Sequence, residues 1–237
     1  MNVSIILPTY NEKENLKVLI PMIEETFKDI NHEVIIVDDS SPDGTADYIN
    51  SLGNKNVKLL LRTKKEGIGA ALRAGYFAAN NEIILSSDSD LSFDVKDMIR
   101  LLDKLNEGYD LVVGTRHKQA TYETKQLSTK LKYAISRSGN FVIKNLTGVD
   151  VTDFSANFRV MKKDVFDSIV LKEKTNPILL EMILKTKYKG YKVAEIPVMF
   201  KERMYGESKL NIYMESPKFF FKLLKMVFLY RILRWKH

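Results

Sequence analysis

Residues 34–45 read VIIVDDSSPDGT. Four β-branched apolar residues end on two adjacent carboxylates, and a Ser-Pro-Asp-Gly turn leads into the next segment. This is the grammar of a buried strand, an exit loop and a helix. The same grammar occurs upstream. Val3–Leu7 is a short apolar run, followed by Pro8-Thr9-Tyr10-Asn11-Glu12. Asn11 with Glu14 three residues on has capping-box spacing, and Leu16, Leu19, Ile20, Ile23 and Phe27 form the apolar face of the helix that follows. Downstream, Val57–Leu61, Ile83–Leu85 and Leu111–Val113 read as further strands, with helices near 67–79 and 94–106. Apolar strands alternating with helices predict a doubly wound, mostly parallel α/β sheet. The second half adds strands over Asn157–Met161 and Val193–Phe200, and helices over 127–146, Pro177–Tyr188 and 216–235.

Doubly wound sheets bind ligands at the carboxyl ends of their strands. The polar clusters fall there: Pro8 to Glu12, Asp38-Asp39, Asp88-Ser89-Asp90 and Gly114-Thr115-Arg116. Two carboxylates flanking one residue after Ile83-Ile84-Leu85 need a compensating charge, as a divalent cation on a diphosphate supplies. A turn or helix cap is the alternative reading. A carboxylate such as Asp39 suits ribose hydroxyls or a base N–H. Gly67-Ile68-Gly69 lacks the third glycine of a dinucleotide fingerprint and the Lys-Ser/Thr of a phosphate loop, so it reads as a helix start at a close backbone approach. Arg203 and Lys209 flank Met204-Tyr205-Gly206-Glu207-Ser208, a loop suited to clamping phosphates. His32, His117 and His237 are scattered and read as surface residues.

The net charge of +7 on 237 residues is uneven. Residues 201–237 carry nine Lys/Arg against three Glu, and residues 116–146 carry seven against one. The remainder is acidic. Anionic partners are therefore expected at particular places. Absence of cysteine excludes disulfides, thiolate zinc sites and a cysteine nucleophile, and suits a reducing compartment. The basic blocks belong to no recognised module with stacking aromatics, which argues against a nucleic-acid binder. Met1 to Leu7 leads straight into a strand, so no signal peptide is expected. No run of 18 apolar residues predicts a membrane span. The last helix combines Phe219, Phe220, Leu223, Leu224, Val227, Phe228, Ile232 and Trp235 with Lys218, Lys222 and Lys225 on one face. Such a helix suits an anionic membrane surface, packing on its own domain, or pairing with another chain.

Taken together, these motifs, with Ser136-Arg137, Asp153 through Arg159 and Arg203 through Leu210, resemble family-2 inverting glycosyltransferases over residues 1–212. Within them, the last two segments are most similar to the dolichol-phosphate mannose synthase branch. The resemblance implies a GT-A-like single domain over 1–212, with 213–237 as an amphipathic basic helix docking on a membrane or a small membrane-protein partner. It places Pro8, Tyr10, Glu12, Val37 and Asp39 at the nucleotide. Asp88, Ser89 and Asp90 fall at the sugar diphosphate and its Mg²⁺ or Mn²⁺, and Ser92 falls where some relatives have a further metal contact. Arg116, Arg203 and Lys209 match phosphate contacts, and Ser136 and Lys132 lie toward the acceptor phosphate. Asp88, Asp90, Arg116 and Arg203 carry the chemistry in this reading.

The implied reaction moves mannose from GDP-mannose to dolichyl (polyprenyl) phosphate, on the cytoplasmic face of a membrane where the chain sits peripherally. UDP-glucose is the alternative donor, and a non-catalytic nucleotide-sugar-binding subunit is the alternative class. A phosphate monoester has a second pKa of about 6, so it arrives largely dianionic and needs no general base. Asp153, where relatives with hydroxyl acceptors need a base, then serves to position a neighbour such as Arg159.

Overall fold

The computed structural model describes residues 1–116, 138–201, 221–222, 224–226 and 228–229. In chain order the elements are β1 (Asn2–Thr9), α1 (Lys13–Thr26), β2 (Asn31–Asp38), α2 (Thr45–Ser51), β3 (Val57–Leu61), α3 (Ile68–Ala78), β4 (Ile83–Ser86), α4 (Lys96–Asn106) and β5 (Leu111–Thr115). A helix over residues 138–147 (α5) follows. The order continues with β6 (Arg159–Lys162), α6 (Lys163–Ser168), α7 (Pro177–Tyr188) and β7 (Val193–Pro197).

One seven-stranded sheet runs in the order β3-β2-β1-β4-β6-β5-β7. All pairs are parallel except those of β6, which is antiparallel to both β4 and β5. The mostly parallel α/β sheet agrees with the sequence reading. Val3, Ile5, Ile6 and Leu7 of β1, and Val34, Ile36 and Val37 of β2, are wholly buried, because helices cover both faces. Leu16, Leu19 and Ile23 of α1, and Phe27 just after it, join Met98, Leu101, Leu102 and Leu105 of α4 on one face. Leu72 and Tyr76 of α3 join Ile178, Met182 and Ile183 of α7 on the other.

The strand expected over Asn157–Met161 is β6, shifted to Arg159–Lys162, and its direction was not foreseen. Arg159 pairs with Ser86 of β4 and with Val113 of β5. The chain therefore re-enters the sheet at the edge where β5 left it, and must run backwards. This places residues 153–158 beyond the carboxyl ends of β4 and β5. The short helix α6 was also not expected.

Two sequence expectations are corrected. Asn11 does not cap α1: its φ of 57° is left-handed, and Glu12 occupies the cap position without a side-chain cap. The first turn is held from outside instead, Lys13 N–H donating to Asp43 Oδ2 at 3.1 Å. His32 is not on the surface. It is 9% exposed and sits against Phe27, with its ring nitrogens on Ile30 O (2.8 Å) and Glu24 Oε1 (3.2 Å).

At the amino ends of the strands, Glu33 accepts hydrogen bonds from Ser4 Oγ (2.6 Å), Lys58 Nζ (2.6 Å) and Asn80 N (2.8 Å). Burial alone would raise this carboxyl, but the bonds from Lys58, Ser4 and Asn80 win and hold it at about 2, against an ordinary 4.5. A lowered folded-state pKa means stability that is full above the unfolded value and is lost as the pH falls toward the folded one. After solvent screening the contribution is about 1–2 kcal/mol. Glu33→Gln is therefore expected to lower the melting temperature at neutral pH. Its stability should vary less between pH 4.5 and 2 than that of the parent chain, as thermal melts across that window would report.

Among the described residues no helix is long and apolar enough to cross a membrane. In the last segment Met226 is buried in the same core cluster as α3 and α7, and Leu229 packs on it. Lys222 pairs with Glu173 at 2.5 Å, and Lys218, expected on the same face, lies outside the described residues. Burial of Met226 turns that side of the helix toward the domain. Phe221, Leu224 and Phe228 face out, 72%, 40% and 51% exposed, at i, i+3 and i+7.

Candidate active site

The register aligns the exit loops. Pro8 pairs with Val37 and Thr9 with Asp38, and Ile6 pairs with Ser86. The ladder continues past the strands through Asp39 N–H to Thr9 O (3.1 Å) and Ser87 N–H to Ile6 O (3.2 Å). Ser89 Oγ donates to Pro8 O at 3.0 Å, tying the β4 exit loop to that of β1. The structure thus gathers Pro8, Val37, Asp39 and Ser89 on one edge, as their strand-end positions predict. Asn11, Ser40 and Leu91 have left-handed φ angles of 57°, 55° and 62°. They lie in the exit loops of β1, β2 and β4, and strain of this kind gathers at functional sites.

At the β2 side, Asp39 Oδ1 accepts from Arg62 Nη1 at 2.5 Å, and Arg62 Nη2 donates to Glu66 Oε2 at 3.0 Å. Burial pushes the Asp39 carboxyl up, against the pull of Arg62. The ammonium of Lys65 lies 3.7 Å from the centroid of the Tyr10 ring. Glu12 Oε2 accepts from Asn15 Nδ2 at 2.5 Å. Arg62, Lys65 and Glu66 were missed by the sequence reading. Their signal was present, since Arg62-Thr63-Lys64-Lys65-Glu66 follows β3 as the other clusters follow their strands.

Gly67 and Gly69 meet a neighbouring backbone, as the sequence reading expects of a close approach. A Cβ on Gly69 would lie 2.6 Å from Lys174 C and 2.8 Å from Glu173 O. Ala70 N–H donates to Lys174 O at 3.0 Å. The amino end of α3 is therefore covered by residues 173–175.

Asp88 and Asp90 leave β4 together. Asp88 Oδ1 accepts from Asn157 Nδ2 at 3.1 Å. Asp90 is 7% exposed; its Oδ1 accepts from Ser92 N at 3.1 Å and from the Ser92 hydroxyl. Ser92 here holds a carboxylate in place. Among the described residues no three His, Cys, Asp or Glu side chains converge as a cage. Two carboxylates from one turn are a donor set that fits Mg²⁺ or Mn²⁺, which keeps waters and substrate phosphates in its remaining positions.

Across from this motif, Arg116 forms a two-point pair with Asp153: Nε to Oδ2 at 2.7 Å and Nη2 to Oδ1 at 3.0 Å. Nη2 also donates to Ser155 Oγ at 2.8 Å, and the guanidinium lies 5.2 Å from the Phe200 ring. The Asp153 side chain is wholly buried, that of Arg116 20% exposed. Asp153 is set by its neighbour Thr152, whose N–H donates to Glu195 Oε2 (2.7 Å) and whose hydroxyl meets that of Thr115 (2.9 Å). The residue Asp153 holds is thus Arg116, where the sequence suggested Arg159. Arg159 is 1% exposed and donates to Leu179 O and Ala156 O. Burial lowers its pKa, opposed by Tyr76, Asp153 and Asp88.

The chain after β7 returns to the site. Val198 N–H donates to Thr115 O, Met199 N–H to Asp97 Oδ2, and Lys201 N–H to Ser92 O at 2.8 Å. The chain up to Lys201 is thereby laid beside the acidic motif. Arg203, Lys209, Lys132 and Ser136 themselves lie outside the described residues.

Comparison with known proteins accords with this geometry. The chain is 33% identical over 240 residues to the dolichol-phosphate mannosyltransferase of Pyrococcus furiosus, covering 100% of this chain and 65% of that protein. The chain therefore spans just under two thirds of that relative's length. It is 30% identical over 216 residues to the polyprenol monophosphomannose synthase of Mycolicibacterium smegmatis, covering 87% of this chain and 80% of that protein. The crystal structure of glucosyl-3-phosphoglycerate synthase from Mycobacterium tuberculosis with Mn²⁺, UDP and phosphoglyceric acid superposes with a TM-score of 0.72 at 17% identity, covering 95% of this chain and 78% of that one. That likeness establishes a GT-A fold. Residues 4–170, from β1 through the exit-loop carboxylates to β6 and α6, match the model of Glycosyl transferase family 2, and the chain belongs to that family.

Proposed function

We propose that the chain transfers mannose from GDP-mannose to dolichyl (polyprenyl) phosphate with inversion at the anomeric carbon. The observation that carries the acceptor is the Arg116–Asp153 pair. The resemblance puts Asp153 where relatives with hydroxyl acceptors need a general base, and here it is wholly buried and engaged at two points by Arg116. A site arranged so suits an acceptor that brings its own negative charge, and a phosphate monoester does so at neutral pH. The names of the Pyrococcus and Mycolicibacterium relatives support the same substrate class.

In this reading Pro8, Tyr10, Glu12, Val37 and Asp39 hold the nucleotide. Asp88 and Asp90 hold Mg²⁺ or Mn²⁺, which supplies charge stabilisation for the departing diphosphate. Arg116, kept in place by Asp153 and Ser155, contacts phosphate. Arg203 and Lys209 complete the phosphate clamp, with Lys132 and Ser136 toward the acceptor. Residues 1–212 act as the catalytic unit. Residues 213–237 dock peripherally on the cytoplasmic face of the membrane through Phe221, Leu224, Phe228 and Lys225, a stripe that suits an anionic lipid surface.

The test is acceptor discrimination by the purified chain with Mn²⁺ and labelled donor. Label is expected in dolichyl phosphate and not in dolichol. Equal labelling of the alcohol would mean that a base acts in the site and would overturn the reading.

A further inference from the structure

Behind the acidic motif, two buried polar atoms have no hydrogen-bond partner: the acceptor Asn157 Oδ1 and the donor Arg159 Nε. The residues are 2% and 1% exposed. They are two apart on extended chain, since Gly114 N–H donates to Phe158 O just before β6 begins. Ala156, Phe158 and Val160 fill one core cluster, so Asn157 and Arg159 project to the opposite face together.

The other polar atoms of both side chains are committed. Asn157 Nδ2 donates to Asp88 Oδ1, and the two Arg159 Nη atoms donate to Leu179 O and Ala156 O. The Asn157 amide cannot turn over, because its oxygen would then face the Asp88 carboxylate. An orphaned buried acceptor is costly, and so is an orphaned buried donor. A single internal water between them would satisfy both, accepting from Nε–H and donating to the amide oxygen.

We propose that Asn157 is a positioning residue of the metal–diphosphate site, its amide N–H orienting Asp88 and its oxygen joined through a buried water to Arg159. The proposal rests on the reading of Asp88 as part of the donor site. It gives the Asp153–Arg159 segment two duties: Asp153 holds the phosphate-facing Arg116, and Asn157 holds the carboxylate facing the cation. Outer partners of this kind fix the direction of a ligand's lone pairs, and their loss commonly weakens metal binding about 10–100-fold.

The experiment measures Mn²⁺ binding by the full chain in the presence of GDP, from the loss of the free Mn²⁺ resonance signal, and GDP binding again in EDTA. Asn157→Leu fills similar space but donates nothing. It is expected to weaken Mn²⁺ binding about 10–100-fold while leaving GDP binding in EDTA unchanged. Damage to the fold would move both, so the split reports positioning. Asn157→Ser retains a short donor, is expected to lose less, and serves if the leucine variant does not fold. A folded variant with parental Mn²⁺ affinity overturns the proposal. Asp88→Asn separates the two levels: if it also binds Mn²⁺ with GDP as the parent does, the donor-site reading falls and takes the role of Asn157 with it. A crystal structure should show a water within hydrogen-bond distance of both Asn157 Oδ1 and Arg159 Nε, and direct protein partners on both atoms would overturn the bridge.

Discussion

Asp90→Ala is expected to reduce glycosyl transfer by about a thousandfold or more, with the fold retained. The proposed reaction builds negative charge on a departing diphosphate, and removing one element of pre-arranged charge stabilisation costs about 10²–10³-fold in rate. Loss of a carboxylate that holds a Lewis-acid cation removes that stabilisation at its source. Asp90 is placed for this by its turn. Leu91 sits at φ 62°, which brings the N–H and hydroxyl of Ser92 back onto Asp90 Oδ1. The turn itself is held by Lys201 N–H on Ser92 O and by Ser89 on Pro8 O, so truncating Asp90 leaves its backbone anchored. Asp90→Asn keeps the shape and the hydrogen bonds but removes the charge, and should lose nearly as much activity. Rates under saturating Mn²⁺, with circular dichroism as the fold control, check both. Parental activity in either variant would remove Asp88-Ser89-Asp90 from the site.

Asp153→Ala is the second large effect, and it acts on both stability and function. The carboxylate is wholly buried, and its partner Arg116 keeps 20% of its side chain in solvent. Breaking a fully buried ion pair costs about 3–5 kcal/mol. Because Arg116 can turn toward water, about 2–3 kcal/mol is expected here, seen as a lower denaturant midpoint. In assays of the folded fraction, Arg116 loses its two-point hold, and transfer should fall about a hundredfold, with much of the loss in KM for the phosphate acceptor. Asp153→Asn separates positioning from base chemistry. If Asp153 positions Arg116, the pH–rate profile keeps its shape at a lower height. Loss of the acidic limb in that variant would make Asp153 a proton acceptor and contradict the account.

The alternation of strands and helices was legible because β1 and β2 are buried on both faces, which leaves Val3–Leu7 and Val34–Val37 as unbroken apolar runs. The direction of β6 was not legible. Arg159-Val160-Met161-Lys162 reads the same whichever way it enters the sheet, and only the long return from β5 decides it. The strand-end rule placed Asp39, Asp88 and Asp90 just beyond the carboxyl ends of β2 and β4 from position alone. It could not find the pairing of Arg62 with Asp39, 23 residues apart, or that of Asn157 with Asp88, 69 residues apart. Those pairings exist only once the sheet has set the loops side by side. Asn11 and Glu14 had the spacing of a capping box, but the left-handed backbone at Asn11 gave its position to the β1 exit loop, where its N–H meets Ser41 Oγ at 2.8 Å. His32 read as a lone surface histidine because Glu24 and Phe27, which enclose it, lie in and just after α1.

The most direct test of the central claim is transfer itself. The purified chain, Mn²⁺ and dolichyl phosphate are incubated with labelled GDP-mannose or labelled UDP-glucose, and the lipid phase is counted and its anomer determined. The account predicts β-linked mannosyl phospholipid from GDP-mannose, abolished by EDTA, and little transfer from UDP-glucose. Glucosyl phospholipid formed in preference would move the donor to UDP-glucose. No label in the phosphate lipid from either donor, by a folded chain that binds both nucleotides, would contradict the account.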